Sequence, residues 1–301
     1  MSAGVLVLLY HRVVDLDRDP YAFAVRPDRF AQQCDVLKRH CDVVPLREAD
    51  GGRRQVAITF DDGYVDNSRQ AADILAAAGL PATFFITSGR LGDRAEIWWD
   101  RLEQIVARCA PVDGHIDVDI GGRRLWADVR SSTARARAHL ALYWRLRPLP
   151  PRAIESLIEQ LEAQLRVPAI DRETHRWMDA NELRALSESR GVDVGAHTLT
   201  HPCLATLPVA EQRAEIDGSR RQLEQMLDKP VRLFSYPYGS RDAFDAVTMQ
   251  LVQESGYTRA CSGTGGLAYP DQSPFDIPRN VVGDWDRPTF EQWLNRWLSS
   301  P

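Results

Sequence analysis

Two adjacent carboxylates, Asp61 and Asp62, interrupt an otherwise apolar run, Val56-Ala57-Ile58-Thr59-Phe60-Asp61-Asp62-Gly63-Tyr64. The lead-in has the composition of a buried strand, and α/β folds place chemistry where such strands end. Successive strand side chains point to opposite sides, so one carboxylate can face a metal while the other faces a substrate. Two neighbouring carboxylates push one pKa upward unless a cation keeps both ionised. Standing alone, the pair reads more simply as a polar strand end, with Asp62, Asn67 or Ser68 capping the next helix. A second stretch shifts the balance. Val192-Asp193-Val194-Gly195-Ala196 leads into His197-Thr198-Leu199-Thr200-His201, an apolar strand ending in two histidines four apart. Two imidazoles at that spacing can meet one ion from a single turn. One carboxylate completes a three-ligand site with positions left open for water and substrate.

The elements that must hold these groups alternate between strand and helix patterns. Strands are expected at residues 5–10, 43–46, 56–60, 82–86, 192–196, 231–236, 257–261 and 277–282. Helices are expected at 28–40, from Asn67 or Ser68 to Gly79, at 208–227 and 243–254, and in a closing segment striped by Phe290, Trp293, Leu294 and Trp297. Asp179-Ala180-Asn181-Glu182 has the form of a capping box before another helix. Between about 92 and 177 the rhythm breaks: a helix from Trp98, a hairpin around Gly121-Gly122 and two helices separated by prolines. The chain then returns to strand and helix, so the stretch reads as a largely helical insertion. The expected fold is α/β, a distorted (β/α) TIM-like barrel of about seven or eight mostly parallel strands, in one domain spanning 1–301.

Composition narrows the function. A net charge of -5, without a basic stripe interleaved with aromatics, argues against nucleic acid as partner. Five cysteines, an odd number with no Cys-x-x-Cys, suit a reducing compartment. The apolar run at 5–10 is too short for a membrane span and lacks the flanks of a signal peptide. A cytoplasmic protein is expected. Sequence leaves the oligomeric state open.

Thr59-Phe60-Asp61-Asp62-Gly63 and His197-Thr198-Leu199-Thr200-His201 resemble the first two signatures of the polysaccharide deacetylases, carbohydrate esterase family 4, with the NodB homology fold. Phe234-Ser235-Tyr236-Pro237-Tyr238-Gly239 looks like the third. The resemblance covers most of the chain outside the insertion. It implies that Asp62, His197 and His201 bind a divalent metal, zinc first, with cobalt, nickel or manganese as substitutes. It also implies that Asp61 is the general base, that the Tyr238 backbone N–H helps hold the oxyanion, and that Arg279 partners the base carboxylate. Two departures stand out. Ser235 occupies the place of the arginine that usually opens the third motif, and no histidine follows His201 to supply the general acid. Val7-Leu8-Leu9-Tyr10-His11 reads like the family's last strand moved to the front, as in circularly permuted members, which assigns His11 as the acid. A closed barrel tolerates the move, because its first and last strands are neighbours.

The function so implied is metal-dependent removal of the N-acetyl group from an amino sugar in a glycan, glycolipid or small glycoside. Two alternatives stay open: a deformylase or other non-peptide amidase on the same site, and a carbohydrate-binding protein without turnover. Trp98, Trp99 and Trp285 are candidate walls for a sugar ring, though core packing explains them equally simply. His115, His139 and His175 have no metal-like spacing and read as surface residues. Ser235 lacks the Gly-x-Ser-x-Gly setting of a nucleophile.

Overall fold

The computed structural model describes residues 4–52 and 54–298. Contacts divide the chain into two compact units, one running to Gly92 and resuming at Trp177, the other spanning 93–176. The first is built on a parallel sheet whose main strands are β1 (Leu6–Tyr10), β2 (Gln55–Phe60), β3 (Ala82–Ile86), β4 (Val192–Ala196), β5 (Leu233–Ser235), β6 (Arg259–Cys261) and β7 (Asn280–Val281). Their order is β6-β5-β4-β3-β2-β1-β7, with the short strand Asp42–Val43 pairing to β2 as an eighth. Ile277 bridges to Cys261 in β6, while Asn280 and Val281 pair with Leu8 and Leu9 in β1. One segment therefore touches both edges and curls the sheet into a distorted barrel, as the strand and helix alternation implied.

The central strands β1, β2 and β3 are largely apolar because both of their faces are buried. Leu6, Leu8, Tyr10, Val56, Ile58, Phe60, Phe84 and Phe234 belong to the outer layer packed by the helices. The alternate positions, Val7, Ala57, Phe85, Leu233, Cys261 and Ile277, form a second cluster inside the barrel. Gly195 lies against that cluster, where a Cβ would come within 2.4 Å of the Phe85 ring, so no larger residue fits there.

Element edges moved from the sequence expectation in a few places. The strands at 231–236, 257–261 and 277–282 are shorter than their apolar runs. The helix after the Asp-Asp strand opens with a wide π-type turn, Asn67–Ala71, before the regular helix Ala72–Ala78. Neither Asn67 nor Ser68 caps it; the Asn67 amide instead donates to the His11 carbonyl at 2.8 Å. Asp179 does form the capping box with Glu182. Among the described residues, no helix is long and apolar enough to cross a membrane.

In the second unit, helices Trp98–Arg108, Ser132–Leu146 and Pro151–Leu165 accompany the antiparallel hairpin His115–Ile120 and Arg123–Asp128. Gly121 and Gly122 turn it, with φ of 59° and 79°, a two-residue turn that needs left-handed backbone at both positions. Two readings are corrected here. His139 and His175 are buried, not superficial, and His115 is half-buried, stacked on Trp126 at 3.5 Å. Trp98 and Trp99 are buried in this unit, Trp98 stacking on Tyr143 at 5.3 Å, so they present no open wall. Trp285, in the first unit, is half-buried and leans on Trp293 of the closing helix. Helical spacing of large apolar groups marks packing more often than ligand contact.

Candidate active site

The alternation that fills the barrel also builds the site. A step of two residues beyond an inward-facing apolar residue gives the next inward position, one layer nearer the C-terminal ends of the strands. From Ala57 the steps lead through Thr59 to Asp61, from Val7 through Leu9 to His11, from Gly195 to His197, from Leu233 to Ser235, and from Ile277 to Arg279. Polar groups from four strand ends thus meet above the interior cluster, and the guanidinium of Arg279, from the segment just before β7, reaches them.

Asp61 and Arg279 form a bidentate pair, Nη1 to Oδ1 and Nη2 to Oδ2, each 2.6 Å, with both residues buried. The remaining guanidinium donors go to the Ser235 hydroxyl (2.7 Å), the Thr59 hydroxyl (3.3 Å) and the Ser262 carbonyl (3.1 Å). The Ser235 hydroxyl in turn donates to Asp61 Oδ2 at 3.1 Å. Burial alone would push the Asp61 carboxyl up. The charge of Arg279, helped by His197, the Arg279 hydrogen bonds and His11, overrides that and holds it well below the usual carboxylate range.

Asp62 turns out of the strand at φ 76° and meets the histidines. Its Oδ1 lies 3.6 Å from His197 Nε2 and 3.5 Å from His201 Nε2. All three residues are buried, and their ligating atoms lie within 4.8 Å of one another. His197 Nδ1 donates to the Ser235 carbonyl at 2.8 Å, which leaves the Nε2 lone pair facing Asp62. Burial lowers both histidines, His201 further because His197 lies beside it, so both are neutral imidazoles at pH 7. Two neutral imidazoles and a carboxylate fit a divalent ion of the zinc type.

Local backbone strain shapes the ligand turn. Thr198 and His201 adopt φ of 65° and 61°, costly for side-chain-bearing residues and most of all for a β-branched threonine. The Thr198 hydroxyl accepts from the His201 N–H at 3.0 Å. From the helix Val209–Leu227, Glu215 accepts from the Leu199 and Thr200 N–H groups and the Thr200 hydroxyl, at 2.9, 2.9 and 2.6 Å. The turn after β5 places Tyr238 at φ 63°, with its ring edge-on to His201 at 4.6 Å. Gly239 follows at φ 63°, where a Cβ would strike the Gly263 backbone at 2.4 Å.

His11 leaves β1 next to Asp61, whose N–H donates to the Tyr10 carbonyl. Its half-buried ring feels the charges of Asp61, Arg279 and His197, and burial as the largest cause lowers it to about 4. The residues singled out in the sequence, Asp61, Asp62, His197, His201, Tyr238, Arg279 and His11, therefore gather at one end of the barrel. Ser235, Glu215 and Thr198 were not foreseen in these roles; for Ser235 the two-residue step from Leu233 was the available signal.

The family profile described as polysaccharide deacetylase matches residues 48–115 and 157–260, more than half of the chain. The chain belongs to the polysaccharide deacetylase family. It is accordingly a hydrolase of the N-deacetylase class. No curated protein sequence matches it. Among solved structures, this deacetylase is similar to the Streptococcus pyogenes deacetylase PplD in complex with acetate, at 15% identity and a TM-score of 0.62, over 97% of this chain and 98% of that one. A polysaccharide deacetylase from Bacillus cereus aligns at 15% identity and a TM-score of 0.63, over 97% of this chain and 69% of the other. IcaB from Ammonifex degensii aligns at 19% identity and a TM-score of 0.62, over 99% and 98%. At these identities the likeness is one of fold.

Proposed function

We propose that this polysaccharide deacetylase is a metal-dependent enzyme that removes the acetyl group from an N-acetylated amino sugar. The convergence of Asp62, His197 and His201 beside the Asp61–Arg279 pair carries the reading. In this proposal those three residues hold the ion, zinc first. When bound, it supplies Lewis acidity and a water of lowered pKa. Asp61, kept ionised by Arg279, accepts the proton of the attacking water as its oxygen bonds to the amide carbon. The Tyr238 backbone N–H donates to the oxygen on which negative charge develops, where one such donor is typically worth about 3 kcal/mol. As the C–N bond breaks, His11 gives a proton to the amine nitrogen, which would otherwise leave as a poor anion. The proton count balances: His11, neutral at pH 7 before turnover, takes up the proton that Asp61 removed from the water and then delivers it to the amine, so that both groups end as they began.

Three further assignments belong to the same proposal. The first strand stands in for the family's last, as in permuted members; its position between β2 and β7 supports this. The unit at 93–176 is an insertion into one catalytic domain. The five cysteines, all free, support a reducing, cytoplasmic setting. The test is acetate release from free, nucleotide-linked and lipid-linked N-acetylhexosamines. Activity should vanish with chelator and return with zinc. Release of formate or ammonia would instead favour the other amidase chemistry, and glycan binding indifferent to chelator, without turnover, would contradict the enzyme.

A further inference from the structure

We infer that Phe23 is a positioning residue that holds the His11 ring in the orientation from which it protonates the departing amine. The inference rests on the assignment of His11 as the acid. The His11 main chain is anchored by Asn67 at its carbonyl and by the β1–β2 ladder behind it. Its ring has no such tether. Among the described residues, none hydrogen-bonds either ring nitrogen, and no carboxylate lies in ion-pair range of them. The ring instead lies face to face with Phe23, centroids 4.3 Å apart and planes 17° from parallel. Phe23 stacks in turn with Tyr21, at 5.5 Å and 20°.

The loop that carries these rings is built to hold them. The two Asp19 carboxylate oxygens accept from the Phe23 and Ala24 N–H groups at 3.1 and 2.7 Å. Ala22 takes the left-handed φ of 54° between the two aromatics. The Phe23 carbonyl accepts from the Arg12 N–H, and Ala24–Val25 pairs in parallel with Arg12–Val13, directly after His11. Arg12 is locked by its buried ion pair with Asp66 at 2.8 Å. Stack and ring thus hang from one framework. A stacking contact fixes the plane of an imidazole without occupying a nitrogen, so both nitrogens remain available to substrate.

The test compares the amide substrate found by acetate release with 4-nitrophenyl acetate, whose phenolate, with a conjugate-acid pKa of about 7, leaves without an acid. Phe23→Leu should lower kcat for the amide about fivefold to tenfold, matching the worth of one aromatic contact, with KM and the ester rate little changed. Phe23→Tyr should restore the rate. His11→Ala should show a larger loss with the same selectivity. Independently of metal and substrate, the His11 ring protons should lie upfield in the NMR spectrum of the wild type and move downfield in Phe23→Leu. Equal loss of amide and ester activity in Phe23→Leu, or no loss of either, overturns the inference while leaving His11 as the acid. Equal loss of both activities in His11→Ala overturns the acid assignment itself, and the inference with it.

Discussion

At the scale of single residues, the base and its surroundings decide how much each group contributes. Both Asp61 oxygens are engaged by Arg279, and Ser235 adds one further hydrogen bond to Oδ2. A buried carboxylate is tolerable only with such compensation, and breaking a buried pair typically costs about 3–5 kcal/mol. The two lesions open to Asp61 and Ser235 should therefore differ in kind. Asp61→Asn keeps the shape but removes the proton acceptor, so kcat should fall about 10²–10⁴-fold. Ser235→Ala removes one hydroxyl while the bidentate pair stays and the Ser235 main-chain carbonyl still holds His197, so the loss should be about tenfold. Zinc content should be unchanged in both, measured by elemental analysis beside steady-state rates. Comparable losses from the two would contradict the division of labour between the base and its support.

At the scale of elements, strand ends deliver the side chains and a helix outside the barrel secures the turn that carries two of the ligands. Glu215 reaches from Val209–Leu227 to the loop between His197 and His201 and satisfies two of its N–H groups and one hydroxyl. Thr198 and His201 sit in costly backbone conformations, so that loop depends on outside support. Glu215→Ala should weaken zinc binding by about 10–100-fold, the usual effect of losing an outer partner of a metal site, measured by competition with a chelating dye. An unchanged melting profile of the metal-free protein would show that the helix itself survives. Glu215 also marks where the sequence stops being legible. The Asp-Asp strand end and the paired histidines could be read because their types and spacing, taken together, are rare outside a site, whereas Arg279 was reached only through the family resemblance. Glu215 lies in a helix full of charged residues, where nothing local separates a loop anchor from a solvated face. Ser235 read as a departure because it stands where the family's third motif opens with arginine, and its role stayed hidden because the partners of its hydroxyl, Asp61 and Arg279, lie far from it in the chain.

At the scale of the whole molecule, the barrel was legible from the alternation of apolar strands with striped helices, and the break in that rhythm falls over the residues of the 93–176 unit. The interior of that unit was not legible, because burial of a lone histidine depends on which helices close over it. His139, on the helix Ser132–Leu146, is buried, and burial lowers its pKa to about 4 from the ordinary 6.5. Its folded-state pKa is thus below its unfolded one, and the consequence has a definite sign. Above pH 6.5 the ring is neutral in both states and stability is complete. Between pH 6.5 and about 4 the unfolded chain takes up a proton that the folded one refuses, so stability falls as the pH falls. The slope is about 1.4 kcal/mol per pH unit, or roughly 3 kcal/mol over the window, and below it the effect levels off. Hydrogen-exchange protection of the 132–146 helix, corrected for intrinsic rates, should decline over that interval in the wild type and much less in His139→Leu. Parallel declines in the two proteins would assign the acid sensitivity to other groups.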